Sequence, residues 1–507
     1  MIGSCAVSER KNVLFVCADQ LGAKWLGCYG SGVASTPTLD ALAADGVRFD
    51  RCYATIPVCA PNRATMLSGR SACVHGVVAN NYFYPSGLPT YADILRKAGY
   101  RTGGFGKFHQ SPMHLPAPSD VANLGFDESM VTEDPKWPWY EWVKETHPEH
   151  ARAALSMAWP FWPNYPHHPE AQAAEEPRRS LMQARKDESG WRMVGSSPLP
   201  SEVHDTTWIT STSIDFIERH AKEHTGTPFM CHVSYVDPHD PYDPPGDYAG
   251  TFDPADMPPA LAAEWIENAN PVLMQAQKFA GFEEIWQKPE VIAKLRATYH
   301  DSLKYMDDQI ARLVDTLHAN DLLDNTIIVF TTDHGEMLGD HGLMTKGVKH
   351  YDAGIRCPLI VAGGGVKGGM ISDDLRCTLD LFPTFCDWAG VAPEDRPPLE
   401  GRSFAPVVAG GDESEPWPAV SVAYGRARSV LTRDRWRLTR FVDENTGQMF
   451  NLAEDPDEQR DLYGDPSATE QKVRLLERLH ELDTMAMEGP HPRNMPEIDG
   501  QKRVLGG

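Results

Sequence analysis

Three short apolar runs, each closed by a polar group, constrain this chain most. Asn12 to Ala18 (NVLFVCA) is rich in β-branched and aromatic residues and is followed by Asp19-Gln20. Phe229 to Val236 (FMCHVSYV) leads to Asp237-Pro238-His239, and Thr326 to Phe330 (TIIVF) leads to Thr331-Thr332-Asp333-His334-Gly335-Glu336. Runs of this length and kind are the pattern of buried strands. Thr102 to Phe108 reads as a further strand leading into Lys107 and His109, and Pro358 to Ala362 as another before Gly363-Gly364-Gly365. Helical spacing recurs between them. Thr36-Pro37 opens a helix that Gly46 closes, Tyr91 to Ala98 is stopped by Gly99, and Leu303, Met306, Ile310, Leu313, Val314 and Leu317 mark a long amphipathic helix. Strands alternating with helices predict an α/β sandwich with a largely parallel sheet. In such sheets ligands collect beyond the carboxyl ends of the strands. Asp19, Lys107, His239 and Asp333 all fall just after strand ends, so these distant positions are expected to meet at one edge.

Two regions break the alternation. Residues 131 to about 200 carry Trp137, Trp139, Tyr140, Trp142, Trp159, Phe161, Trp162 and Tyr165 and read as an insertion over the sheet edge. Aromatic faces there could stack on a sugar or an aryl ring or cage a quaternary ammonium, but packing of the insertion explains most of them. A proline-rich connection begins at Pro393 to Pro398, Ser429 to Phe441 looks like a hairpin, and Glu470 to Leu482 is an amphipathic helix. The expected division is a catalytic domain over 10–405 and a small C-terminal α+β domain over 406–507.

A formal net charge of −24 makes nucleic acid an improbable partner. No apolar run is long enough to span a bilayer. The ten cysteines are scattered, with no C-x-x-C pair, and no signal peptide opens the chain. These features point to reduced thiols and a cytoplasmic home.

Asp19, Asp333 and His334 are metal candidates. Carboxylates suit Ca²⁺, Mg²⁺ or Mn²⁺, and an imidazole ligand shifts the preference toward Mn²⁺. Taken one at a time, each is as well explained as a turn or cap residue. Cys59-Ala60-Pro61-Asn62-Arg63, continuing to Ser68-Gly69-Arg70, adds a second element. Pro61 suits the first turn of a helix, so Cys59 falls at a helix N-terminus, beside unpaired N–H groups and the positive dipole end. Arg63 adds a permanent charge one turn on. The arrangement suits a reactive group that meets an anion.

This stretch resembles the sulfatase signature C-x-P-x-R, with Ser68-Gly69 where the family has Thr-Gly. Gly106-Lys107-Phe108-His109, Pro238-His239 and Asp333-His334-Gly335-Glu336 with Lys346 extend the resemblance in order, over roughly 12–110 and 203–405 and more weakly over Asn451 to Leu462. The chain is thus similar to formylglycine-dependent type I sulfatases of the alkaline phosphatase superfamily. The resemblance implies an alkaline-phosphatase-like sandwich with a large mixed, mostly parallel sheet flanked by helices. It implies a sulfuric ester hydrolase acting on a small sulfate ester, such as a sulfated sugar or an aryl sulfate. Cys59 is then the precursor of formylglycine, whose hydrate is the nucleophile, and a formylglycine-generating enzyme is the maturation partner. Asp19, Gln20, Asp333, His334 and residue 59 would hold one divalent metal, Ca²⁺ first, with Mn²⁺ or Mg²⁺ behind it. Arg63, Lys107 and Lys346 would neutralise sulfate oxygens. His239, with Lys346, would protonate the leaving alcohol, and His109 would deprotonate the sulfated diol to release sulfate. Many relatives have Asp where Gln20 stands and Asn where His334 stands, which leaves the metal open. Glu336 and His341 fit supporting contacts better than ligation. The rival readings are a phosphonate or phosphate mono- or diester hydrolase of the same superfamily and a catalytically silent metal-binding interaction protein.

Overall fold

A computed structural model describes residues 10–112, 119–132, 136–158, 170–262, 270–411, 415–442, 444 and 446–487. Its centre is a nine-stranded sheet. The strands are β1 (Asn12–Ala18), β2 (Val47–Tyr53), β3 (Arg101–Gly106), β4 (Glu128–Val131), β5 (Phe229–Ser234), β6 (Thr326–Thr332), β7 (Arg356–Gly363), β8 (Met370–Ser372) and β9 (Arg376–Cys377). Their order is β4-β3-β5-β1-β6-β7-β2-β8, with β9 also on β2. β7 runs against both β6 and β2, and the other pairings are parallel. The sheet is therefore mixed and mostly parallel, as the alternation predicts.

Every residue of β1, β5 and β6 is buried. Successive side chains of a strand point to opposite faces, and both faces of β1 find apolar cover. Leu14, Val16 and Ala18 pack with Leu303, Met306, Ile310, Leu313 and Leu317 of the helix Pro289–Ala319. Val13, Phe15 and Cys17 pack with Ala60, Ala64, Met66, Leu67 and Phe385 on the other side. Each fully buried aliphatic or aromatic side chain contributes about 1.5–3 kcal/mol. The long helix begins well before Leu303, because Val291, Ile292, Leu295 and Tyr299 continue its buried stripe.

Two strands stop earlier than the apolar runs suggest. β3 ends at Gly106 (φ 107°), where a Cβ would lie 1.8 Å from the Ser234 carbonyl oxygen, so only glycine fits. β5 ends at Ser234, ahead of Tyr235 and Val236. β2 has no apolar run to announce it (VRFDRCY). Its Arg51 reaches across to the Thr432 and Arg433 carbonyls, 2.6 and 2.9 Å away.

β4 is the outermost strand, and the insertion follows it. Helices Trp137–Thr146, Ala151–Met157 and Ala171–Ser189 share a small core of their own, built on Trp139, Tyr140, Val143, Ala154 and Met157. Trp137 and Trp142 pack at its margin, the latter stacked on Trp208. These aromatics serve packing. Trp159, Phe161, Trp162 and Tyr165 lie outside the described residues.

A second, antiparallel sheet comprises β10 (Ala419–Tyr424), β11 (Ala427–Thr432), β12 (Trp436–Phe441) and β13 (Gly447–Asn451) in sequence order. The expected hairpin is its middle pair, β11–β12. The helix Thr469–Met487 covers one face through Leu475 and Leu479. The other face meets Tyr53, Ile355 and Leu375. Among the described residues no helix is long and apolar enough to cross a membrane, and Cys17, Cys28, Cys52, Cys59, Cys231, Cys357, Cys377 and Cys386 are free.

Candidate active site

Strand register brings the polar tips level. Ala18 pairs with Thr332, and Cys17 and Gly106 both pair with Ser234. The next residues along, Asp19, Asp333 and Lys107, therefore leave the sheet side by side. Asp19 N–H donates to the Asp237 carbonyl (3.2 Å) and Gln20 N–H to Asp333 Oδ1 (3.1 Å), which locks the two acidic tips together.

The helix Cys59–Ser68 lies against this edge with all ten residues buried, and Gly69 (φ 62°) closes it. Cys59 is its first residue, so its thiol faces the strand tips. Sγ lies 3.2 Å from His334 Nε2 and 3.7 Å from Asp19 Oδ1. One turn on, Arg63 Nε donates to Asp333 Oδ2 (2.8 Å), Nη1 to the Lys107 carbonyl and Ser234 Oγ (both 2.7 Å), and Nη2 sits 3.4 Å from Asp19. Lys107 Nζ meets the same Asp19 oxygen at 2.5 Å. Two buried acids thus face two buried cations.

The field acts on the groups in it. Burial opposes a charge on Cys59, yet Lys346, Lys107 and His334, with a contact from His109, hold its thiol well below the ordinary range. Burial and Cys59 likewise oppose the Asp19 carboxylate, but Lys107, His239 and Arg63 outweigh them and lower its pKa. The Lys346 ammonium is disfavoured by burial and restored by Cys59, Asp19 and Asp240, so its pKa rises.

Lys346 joins a second cluster. Its Nζ lies 2.5 Å from both His239 Nε2 and Gln20 Oε1. Gln20 Nε2 donates to Asp240 Oδ1 (2.9 Å) and Glu336 Oε2 (2.5 Å). A neutral amide suits this position, because it offers an acceptor to the ammonium and donors to two carboxylates. Glu336 also accepts from the Leu338 and Thr345 N–H groups (2.9 and 2.7 Å). His341 stacks on Tyr351 with ring centroids 3.9 Å apart, away from the acids.

The structure therefore brings Asp19, Cys59, Arg63, Lys107, Asp333 and His334 into one buried cluster, with His109 at its edge. Gln20, His239 and Lys346 form the adjoining one. Lys107 is not a surface lysine, since only 3% of it is exposed. Asn62 escaped the sequence reading. Its Nδ2 donates to the Asp333 carbonyl, and its Oδ1 accepts from Thr378 (2.8 Å). Asp240 and Ser234 escaped it too. Asn62 lies inside the Cys59–Arg63 motif, but an amide between a proline and an arginine carries no chemical signal of its own.

The donor set fits a divalent cation. Asp19, Cys59, Asp333 and His334 each offer a buried ligand atom, and these atoms lie within 4.8 Å of one another. His334 Nδ1 lies 3.1 Å from the Gly335 carbonyl, which can only accept, so Nδ1 carries the proton. Nε2 then faces Cys59 and two carboxylates, at 3.7 Å from Asp19 and 3.6 Å from Asp333. A carbonyl-anchored imidazole beside paired acids is the arrangement of a metal ligand.

Known proteins resemble this chain over most of its length. The Sulfatase family model matches residues 11–391. A model described as N-sulphoglucosamine sulphohydrolase, C-terminal, matches residues 339–485. This chain belongs to the sulfatase family. Choline-sulfatase of Rhizobium meliloti is 27% identical over 465 residues, covering 90% of this chain and 83% of the relative. Arylsulfatase of Clostridium perfringens is 26% identical over 513 residues, covering 98% of each chain. Among solved structures, the phosphonate monoester hydrolase of Agrobacterium radiobacter superposes with a TM-score of 0.77 at 23% identity, covering 94% of this chain and 96% of that one. That likeness concerns the fold.

Proposed function

We propose that this chain hydrolyses small sulfate esters with residue 59, oxidised from cysteine to formylglycine, as the nucleophilic position. The observation that carries the reading is the place of Cys59, at the head of a buried helix, 3.2 Å from His334 and within the field of Lys107 and Lys346. A sulfate ester is an anion that repels nucleophiles, so the site must supply positive charge where the sulfate oxygens crowd. Arg63, Lys107 and Lys346 are the cations for that task, and in a buried pocket such charge–charge stabilisation is large. A divalent cation held by Asp19, Asp333, His334 and residue 59, Ca²⁺ before Mn²⁺ or Mg²⁺, would draw electron density from a sulfate oxygen. Gln20 joins that set only if its amide oxygen leaves Lys346. His239, in contact with Lys346, hands a proton to the leaving oxygen. His109, beside residue 59, takes the proton that restores the resting side chain. Modification of Cys59 calls for a formylglycine-generating enzyme. The free cysteines suit a reducing compartment such as the cytoplasm.

Mass spectrometry of the Cys59 peptide from the native host, with rates on matched aryl sulfate and aryl phosphonate esters, tests the reading. The expected outcome is formylglycine at 59, faster sulfate turnover, and loss of activity on chelation that a divalent cation restores. Dominant phosphonate turnover would shift the assignment to the phosphonate hydrolases of the superfamily. An unmodified thiol without turnover would leave a silent metal-binding protein.

A further inference from the structure

His239 and Lys346 are partly exposed, while Asp19, Cys59, Arg63, Lys107 and Asp333 behind them are buried. The site therefore opens where the first two stand. They touch at 2.5 Å. An alcohol whose oxygen takes its proton from His239 must pass beside Lys346 on its way out.

The C-terminal sheet comes close at this point. β10 ends at Tyr424, and two backbone bonds fix that end against the site. Ala423 N–H donates to the Thr55 carbonyl (3.0 Å), and Gly347 N–H donates to the Pro57 carbonyl (3.0 Å). Thr55 to Pro57 is the segment that leads into Cys59, and Gly347 follows Lys346. Register sets the direction of the side chain. Tyr424 pairs with Ala427, and Ala427 with Phe441. Paired residues of antiparallel strands share a face. Ala427 and Phe441 pack with Met337, Leu343 and Tyr351 of the large domain, so this row is turned toward it. The Tyr424 ring accordingly lies over Gly347 (φ 93°), where an added Cβ would sit 3.3 Å from Cε1. The ring is half-buried, and no other ring among the described residues stacks on it. The charges of the site reach it. Burial and Cys59 raise the pKa of its hydroxyl, and Lys346 opposes them.

We infer that Tyr424 is a specificity-determining residue, lent to the site by the C-terminal sheet, and that its ring receives the alcohol part of the ester and favours an aromatic one. The inference rests on the sulfate-ester reading of the site. Two aromatic rings attract each other beyond the area they bury, through their offset or edge-to-face quadrupoles. A saturated ring of similar size gains only the buried area. The contact lies away from the sulfur, so it is made as well before the reaction as during it. Such binding appears in KM and leaves kcat little changed.

The test uses three esters on full-length protein with verified formylglycine. They are 2-phenylethyl sulfate, 2-cyclohexylethyl sulfate and 4-nitrophenyl sulfate. The first two leave as primary alcohols of similar basicity and size, so chemistry at sulfur is matched. The expected kcat/KM is about two- to tenfold higher for the phenyl ester than for the cyclohexyl ester, carried by KM. Y424L should bring that ratio to one, and Y424F should keep it. Equal constants on the two esters in the parent, or a ratio untouched by Y424L, would overturn the inference, while turnover of 4-nitrophenyl sulfate left the sulfatase reading standing. If Y424L does not fold, Y424F decides with the parent: a ratio of one in Y424F would assign the preference to the hydroxyl and overturn the ring contact. Turnover of none of the three esters would end both readings.

Discussion

The strand-tip edge of the large sheet and the C-terminal antiparallel sheet both bury ions, and they do so to different ends. In the C-terminal sheet, Arg437 is wholly buried against Glu458, with Thr439 Oγ1 at 2.6 Å and the rings of Tyr351 and Phe450 at 5.1 and 4.7 Å. Glu458 in turn accepts from the Asp352 N–H at 2.7 Å. The pair ties the chain to itself. At the strand tips, Asp19, Asp333, Arg63 and Lys107 are as deeply buried, but an imidazole nitrogen and a thiol of lowered pKa face the same point. Burial of charge alone does not mark a site. Convergence of ligand-capable atoms on one point does.

Four substitutions sharpen that contrast. Cys59→Ala should lower sulfate-ester turnover by about 10⁴ or more while leaving a single cooperative unfolding transition, read by steady-state rates and calorimetry. His239→Ala should reduce kcat by about 10²–10⁴ on esters of poorly acidic alcohols and much less on 4-nitrophenyl sulfate, whose leaving group needs no proton. An equal loss on both would contradict its role as acid. Leu438→Ala, within the core of the C-terminal sheet, should cost about 2–5 kcal/mol of stability and leave kcat/KM within about twofold. A large kinetic change would show that the two regions are coupled.

The smallest effect should come from the joint between them. Asp380 accepts from Arg402 N–H (2.8 Å) and Trp417 Nε1 (2.9 Å), and burial pushes its pKa up to about 6. The folded chain therefore holds a proton there that the unfolded chain releases between about pH 4 and 6. Its stabilising share is present below that window and lost as pH rises through it. Asp380→Asn removes the dependence. Its Tm relative to the parent should climb from pH 4 to pH 7, by no more than the equivalent of about 3 kcal/mol. A flat difference would argue that Asp380 is charged throughout.

Much of the site was readable because parallel strands put their polar endings on one edge. Asp19, Lys107 and Asp333 each follow a buried run, and the proline and arginine after Cys59 announced a helix start. Local pattern failed where long-range partners decide the outcome. β2 carries Arg48, Asp50 and Arg51 among its apolar residues, and Arg51 meets partners far off in sequence, the Thr432 and Arg433 carbonyls and the Asp373 carboxylate. Gln20 looked like a weakened ligand beside Asp19. Its side chain instead spans Lys346, Asp240 and Glu336, none of which its neighbours in sequence foretell.

The helix Cys59–Ser68 has no solvent-facing side at all. Its amide protons lack a local opening through which to trade with deuterium, because fraying this segment would expose core on every flank. They should exchange only when the large sheet itself comes apart, with free energies near the global limit. The reactive motif would then double as a slow clock, its isotope uptake timing the survival of the whole catalytic body.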